Sequence, residues 1–295
     1  KQLVHWVGED AFDAGLRAYF ARHAWGNTTL SDLLTELETT SGRDLTAWSA
    51  LWLQQAGVTT LRPEITVDDA GTITAFAVRQ EAPASHPVLR PHQLAIGSYS
   101  VREGVLTRTW QVSVTVDGAL TAVPEVVGRP RGDLLLVNDD DLAYAKIRLD
   151  DASLAAAVRH LSDFDASLPA TLVWGAAWDM TRDGELPPRV FLDLVLTHLP
   201  SVTDPSVQQT LLGQLASTLA FYLAPEHRQD ARDDATDRLI GLLRSAAPGG
   251  DSQLLLTRAV AAQARTAAQL DVVAGLFDGT APLDGLTVDT ELRWT

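Results

Sequence analysis

Hydrophobic positions change their spacing twice along the chain. Phe12, Leu16, Tyr19 and Phe20 recur at helical intervals and predict a helix over 9–24, with Gly8 ending an earlier one that covers 1–7. Leu30, Leu33, Leu34 and Leu37 form the next stripe, closed by Gly42. Asp44 is placed to cap a fourth helix carrying Leu45, Trp48, Leu51 and Trp52 and stopping at Gly57. From residue 62 the period becomes two. Ile65, Val67, Ile73, Ala75 and Ala77 alternate with polar neighbours, as do Val112, Val114 and Val116. Asp69-Ala70-Gly71 and Asp117-Gly118 read as hairpin turns, and Leu134–Val137 as a short buried strand. About seven or eight strands of this length suggest a small β-sandwich. From residue 150 helical spacing returns. Leu168-Pro169, Pro187-Pro188, Asp204-Pro205 and Pro225 sit where helices begin, because proline is tolerated in a first turn. Gly249-Gly250 and Gly279 mark breaks. About seven helices with short links point to a curved, repeat-like array.

Runs of helix, strand and helix argue for separate segments, 1–61, 62–149 and 150–295, and hence a multidomain α+β chain. The length of 295 residues fits that number, and 46% hydrophobic residues suffice for large cores. No apolar run approaches the ~20 residues of a membrane-spanning helix, so no membrane partner is expected. The net charge of -15 makes a nucleic-acid backbone an unfavourable partner. Residues 150–295 hold 20 acidic and 10 basic side chains, so most of the acidity lies there. Asp163, Asp165, Asp179, Asp183 and Glu185 are the candidates for a one-signed field there, against the alternative that the acidity serves solubility alone. With no cysteine, disulfides, a thiol nucleophile and thiolate metal sites are excluded, and a cytoplasmic location is the expectation.

Candidate chemistry is sparse. The seven histidines are His5, His23, His86, His92, His160, His198 and His227, and no two are four apart, as a helical zinc motif requires. His86 and His92 are separated by Pro87 and Pro91, and His5 and Glu9 by Gly8. No G-x-S-x-G elbow, G-x-G-x-x-G or Walker loop is present. Asn138-Asp139-Asp140-Asp141 lacks the glycine and glutamate of an EF-hand loop and reads as a turn. The pairs Trp48/Trp52 and Trp174/Trp178 read as buried stripes rather than ligand shelves. Asp179, Asp183 and Glu185 read as a helix exit. Tyr99 and Trp110 are too few aromatics for a carbohydrate-binding sheet. On this reading no catalytic, cofactor-binding or metal-binding residue is assigned.

Several words resemble the aminopeptidase N family. They are Gly15-Leu16-Arg17-Ala18-Tyr19-Phe20, Gly26-Asn27-Thr28-Thr29, Ser41-Gly42-Arg43-Asp44-Leu45 and Trp52-Leu53, then Val137-Asn138-Asp139-Asp140-Asp141-Leu142-Ala143-Tyr144-Ala145-Lys146. Trp174-Gly175-Ala176-Ala177-Trp178-Asp179-Met180 and Arg182-Asp183-Gly184-Glu185-Leu186 continue the likeness in the same order. The resemblance implies the helical end of a thermolysin-like catalytic domain, then a β-sandwich, then an incomplete HEAT/armadillo-like helical domain. It also implies a parent zinc aminopeptidase that removes N-terminal amino acids from peptides. The family's H-E-x-x-H, amine-binding glycines and catalytic tyrosine would all precede Lys1, so this portion is expected to be inactive and to hold no zinc. Its expected partners are the N-terminal catalytic segments of the same protein and peptide substrates. Glu291-Leu292-Arg293-Trp294 resembles the opening of a further helix that would run past Thr295. The alternative from a different class is a stand-alone interaction scaffold.

Overall fold

A computed structural model describes residues 1–294. Compactness groups the chain into two units, Lys1–Ala176 and the part from Ala177 onward.

The first unit opens with helices α1 (Gln2–Val7), α2 (Glu9–Arg22), α3 (Leu30–Ser41) and α4 (Thr46–Leu53). Gly8, at φ 91, separates α1 from α2. Thr29 starts α3 by donating its backbone N–H to Asp32 Oδ2 at 2.7 Å, and Gly42 ends it at φ 66. Gly15 lets α2 lie close on α3, since a Cβ there would come within 2.7 Å of Leu37 Cδ2. Thr40 uses the same closeness to donate to Ala11 O at 2.8 Å. Val7, Leu37, Leu45 and Trp48 form the buried centre, with Trp6, Phe12 and Trp52 packed on it. The N-cap of α4 is Leu45 rather than Asp44, which lies one residue ahead of it and accepts from Thr46 N at 2.8 Å. The fourth helix is shorter than its apolar spacing suggests: it ends at Leu53, not at Gly57. Carbonyls around its end find a distant guanidinium, described below, and so need no further helical turn.

Seven strands follow: β1 (Thr60–Val67), β2 (Ile73–Glu81), β3 (His92–Arg102), β4 (Val105–Val116), β5 (Leu120–Ala122), β6 (Leu134–Asp139) and β7 (Lys146–Ile147). They form two small sheets, ordered β5-β2-β1-β7 and β4-β3-β6. The expected hairpin at Asp69-Ala70-Gly71 joins β1 to β2. Asp68 Oδ1 accepts there from Ala70 N and Thr72 N, and Gly71 takes φ 77. Asp117-Gly118 is not a hairpin. It hands the chain from β4 in one sheet to β5 in the other. Gln80 on β2 causes this: its backbone N–H donates to Ala119 O at 2.9 Å and its side-chain amide to Gly118 O at 3.0 Å. Every residue of β6 is buried. Helix α5 (Asp151–His160) lies on it, with Ser153 Oγ accepting from Leu135 N at 2.9 Å. The division between the units falls within α6 (Ser167–Arg182).

The second unit is helical: α7 (Pro188–His198), α8 (Pro205–Ser217), α9 (Pro225–Ser245), α10 (Asp251–Gln263), α11 (Ala267–Asp278) and α12 (Thr290–Arg293). Prolines open α7, α8 and α9 as the sequence predicts, and Asp204 caps α8 by accepting from Ser206 N at 2.8 Å. A π-helical turn, Thr218–Tyr222, follows α8. Gly249 and Gly279, at φ 71 and 79, provide the predicted breaks. Phe191, Val195, Leu211, Leu215, Leu239, Leu243 and Val260 are buried in its interior. Among the described residues no helix is long and apolar enough to cross a membrane. Thr295, where the family pattern continues the last helix, lies outside the described residues.

Candidate functional site

Among the described residues, no three His, Cys, Asp or Glu side chains converge in a way that could hold a metal. His86 is exposed on a loop with its ring nitrogen 3.1 Å from Ser85 Oγ, whereas His92 is fully buried in β3. His5 and Glu9 lie on separate helices across Gly8. Among the described residues, zinc therefore has no fitting donor set.

The polar side chains do assemble into two knots, each around a buried residue. The first centres on Asp139, which is 1% exposed. Its Oδ1 accepts from the Tyr99 hydroxyl at 2.7 Å, and its Oδ2 from Arg108 and from Gln111, each at 3.0 Å. Arg108 also donates to Asp140 Oδ1 at 2.8 Å, and Gln111 to Asp140 Oδ2 at 2.7 Å. Burial, together with the bond to Asp139, pushes the Tyr99 hydroxyl far above its usual range. Hydrogen bonds to Asp139 and Asp140 push the Arg108 guanidinium up as well. Burial opposes ionisation of Asp140, but the bonds from Gln111 and Arg108 win and hold it below the usual carboxylate range. Tyr99 is thus locked as a donor and unsuited to proton transfer at neutral pH.

The acidic run has two jobs that its sequence does not separate. Asn138 makes the expected turn: its Oδ1 accepts from Leu142 N and Ala143 N, at 3.0 and 2.8 Å. Asp139 points inward, and Asp141 pairs with Lys1 at 2.9 Å. Asn138, Asp140 and Asp141 all adopt positive φ, between 55 and 70°. That conformation is costly for side-chain-bearing residues and is held here by the knot and the turn bonds.

The second knot centres on Arg90, which is 2% exposed. Its Nε donates to Leu51 O at 2.9 Å, and its Nη2 to Gln55 O and Ala56 O, at 2.8 and 2.9 Å. The guanidinium lies 5.4 Å from the Trp52 ring centre, in cation–π range. His92 sits edge-on to Trp52, its Nε2 3.0 Å from Thr59 Oγ1 and 3.2 Å from Gln80 Oε1. Burial, and then the charge of Arg90, lower the His92 pKa from 6.5 to about 4. Arg90 escaped the sequence reading. Its one signal is a lone cation in the stretch Pro87-Val88-Leu89-Arg90-Pro91.

The aromatic candidates resolve as packing. Trp48 and Trp174 are buried, and Trp178 packs on Phe191 and Tyr222, with ring centres 5.3 and 5.7 Å away. Tyr99 is buried and Trp110 lies under Arg129, so the two make no open carbohydrate shelf. Gly184, at φ 77, ends α6, and Glu185 N and Leu186 N return to Met180 O, the geometry of a helix exit. A groove of about 270 Å³ between helices of the second unit is lined mainly by Leu199, Leu212, Leu242 and Leu256, with Gln208 and Ser252 bonded to each other. It gathers no titratable side chain.

Comparison with known proteins gives matches to one protein family. Residues 134–295 match the family model described as the ERAP1-like C-terminal domain. Aminopeptidase N of Streptomyces lividans is 52% identical over 301 aligned residues, which cover all of this chain and 35% of that protein. Aminopeptidase N of Lactococcus lactis subsp. lactis is 40% identical over 67 residues, 23% of this chain and 8% of that protein. Aminopeptidase M1 of Arabidopsis thaliana is 23% identical over 166 residues, 55% of this chain and 19% of that protein. The chain thus spans about a third of the Streptomyces relative and less of the others.

Proposed function

The chain belongs to the aminopeptidase N family, and on that premise we propose that it is the non-catalytic C-terminal portion of a zinc aminopeptidase that removes N-terminal amino acids from peptides. One observation carries this reading: half of all positions are identical, end to end, to an aminopeptidase of which the chain spans only 35%. In this reading α1 to α4 complete a thermolysin-like catalytic domain. The two sheets form a spacer β-sandwich, and the helices from residue 150 form a HEAT/armadillo-like array that covers the active site. The chain's partners are then the catalytic segments of the same cytoplasmic protein and its peptide substrates. The two knots suit such a role, because they stiffen a support without exposing a reactive group. No comparison favours the alternative of a stand-alone interaction scaffold.

Metal analysis and an aminoacyl reporter assay test the proposal. The dialysed chain should retain no zinc and release no amino acid, whereas the complete gene product should retain zinc and release amino acids. Stoichiometric zinc or turnover in the chain alone overturns the assignment of a supporting role. A complete gene product without either overturns the assignment to a zinc aminopeptidase.

A further inference from the structure

Where glycine follows aspartate, the chain can attack its own side chain, because glycine leaves the amide nitrogen unshielded and the backbone free to bend. The chain has four such steps: Asp117-Gly118, Asp183-Gly184, Asp278-Gly279 and Asp284-Gly285. Attack needs an unbonded amide nitrogen, a carboxyl able to lose water, and room for the bend. Three of the steps lack one of these. Gly184 N is engaged with Thr181 O at 3.2 Å. The Asp278 carboxylate accepts from Thr280 Oγ1 and N, at 2.6 and 2.8 Å, and those bonds hold it below the usual carboxylate range, so it is seldom protonated. Gly285 is pressed on its neighbours, since a Cβ there would overlap Gly249 N. Asp117-Gly118 meets all three conditions. Both residues are exposed, and a Cβ on Gly118 would meet nothing within 4 Å. Among the described residues, neither the Asp117 carboxylate nor the Gly118 N–H has a partner.

We propose that Asp117 is a self-modifying site, which rearranges to isoaspartate through a cyclic imide with water as the only co-reactant. The Gly118 amide nitrogen gives its proton to solvent and bonds to Asp117 Cγ. The carboxyl C–OH bond breaks, water leaves, and the imide closes. Water then adds to the former main-chain carbonyl of Asp117 and the C–N bond there breaks. The chain now runs through Cβ and Cγ, and the old main-chain carbonyl is a free carboxylate. Thr121 speeds the first step. Its hydroxyl donates at 2.9 Å to Asp117 O, the carbonyl of the peptide unit whose nitrogen attacks. That bond stabilises the charge that gathers on the oxygen as the amide loses its proton, as an oxyanion donor does. The same hydroxyl accepts from Asp117 N at 3.0 Å and keeps the unit in place. Gln253 Nε2 polarises Asp284 O in the same way, at 2.9 Å, but there the packing of Gly285 blocks the bend. The product has an extra main-chain carbon just before Gly118, whose carbonyl accepts from Gln80 Nε2. Ageing therefore loosens the passage from β4 to β5.

Storage of the folded 295-residue chain at mildly acidic pH tests the proposal, with isoaspartate counted by enzymatic methyl transfer and located by peptide fragmentation after a brief acidic digestion. A parallel sample in urea reads the local sequence alone, and its four steps should age at similar rates. In the folded chain Asp117 should age faster than each of the other three, by about fivefold or more, the rate worth of one neutral hydrogen bond. Thr121→Val should slow Asp117 by about the same factor, whereas Thr121→Ser should keep the parent rate, both in chains that circular dichroism shows to be folded. Asp117→Glu, whose imide ring is larger and slower to close, should lose the signal. Equal ageing of the four steps in the folded chain overturns the proposal. So does an unchanged rate in Thr121→Val, or a methyl-acceptor signal that persists in Asp117→Glu.

Discussion

Gly97 lies against the carboxylate of Asp139 so closely that a Cβ at position 97 would overlap Asp139 Oδ2. The neighbouring strand leaves that space, and the carboxylate fills it with three hydrogen bonds. Gly97→Ala should therefore displace the whole knot. The expected outcome is a destabilisation of about 2 kcal/mol or more, the size of overpacking with loss of buried bonds. Equilibrium urea unfolding followed by circular dichroism measures it, and a change within 0.5 kcal/mol would contradict the picture.

Asp139→Ala removes the acceptor shared by Tyr99, Arg108 and Gln111. Leaving buried donors unpaired costs about 1–3 kcal/mol, and the partial exposure of Arg108 keeps the loss from reaching the value of a fully buried ion pair. Tyr99→Phe removes one donor and should cost less, about 1 kcal/mol. Reversal of that order in urea unfolding would show that the tyrosine, not the carboxylate, organises the knot.

His92 gives the stability a specific pH dependence. Folded, it stays neutral down to about pH 4; unfolded, it titrates at its ordinary 6.5. Above pH 7 both states are neutral and the group contributes no slope. As pH falls from 6.5 to 4 the unfolded state alone takes up the proton, so stability is lost across that window, by about 3 kcal/mol in all. His92→Gln removes the titration. Urea midpoints of the two proteins should converge as pH falls toward about 4, and parallel pH curves would refute the assignment.

Arg90 holds the exit of α4 through three carbonyls and the Trp52 ring. Arg90→Lys keeps the charge but loses the planar fork. Amide hydrogens of residues 46–57 should then exchange faster while those of β6 stay slow. Unchanged exchange across 46–57 would mean that local sequence alone ends the helix.

Phe20, Trp25 and Leu30 are 66%, 105% and 49% exposed on the hairpin of α2 and α3. Residues 1–57 should exchange faster than β3 and β6, because these apolar groups contribute no burial to hold the hairpin closed. Phe20→Ser with Trp25→Ser should alter stability by less than about 0.5 kcal/mol and should reduce binding of a hydrophobic dye. Uniformly slow exchange from Leu3 to Trp52 would contradict this.

Local punctuation was legible in the sequence because it depends on the φ and ψ limits of single residues. Gly8 and Gly42 stop helices, Pro188, Pro205 and Pro225 start them, and Asp68 to Gly71 turn β1 into β2, each within a few residues of chain. The alternation of valines in β4 likewise marked a strand with one buried face. The partner across each gap was not legible. Asp117-Gly118 has hairpin composition, yet Gln80, far back in the chain, draws it to the other sheet. Asp139 looks like its neighbours Asp140 and Asp141, yet Tyr99, Arg108 and Gln111, 28 to 40 residues away, make it a core residue. Arg90 decides where α4 stops from 34 to 39 residues downstream. Backbone preference acts within a few residues, whereas a buried charge or amide is satisfied only by groups that tertiary packing brings to it.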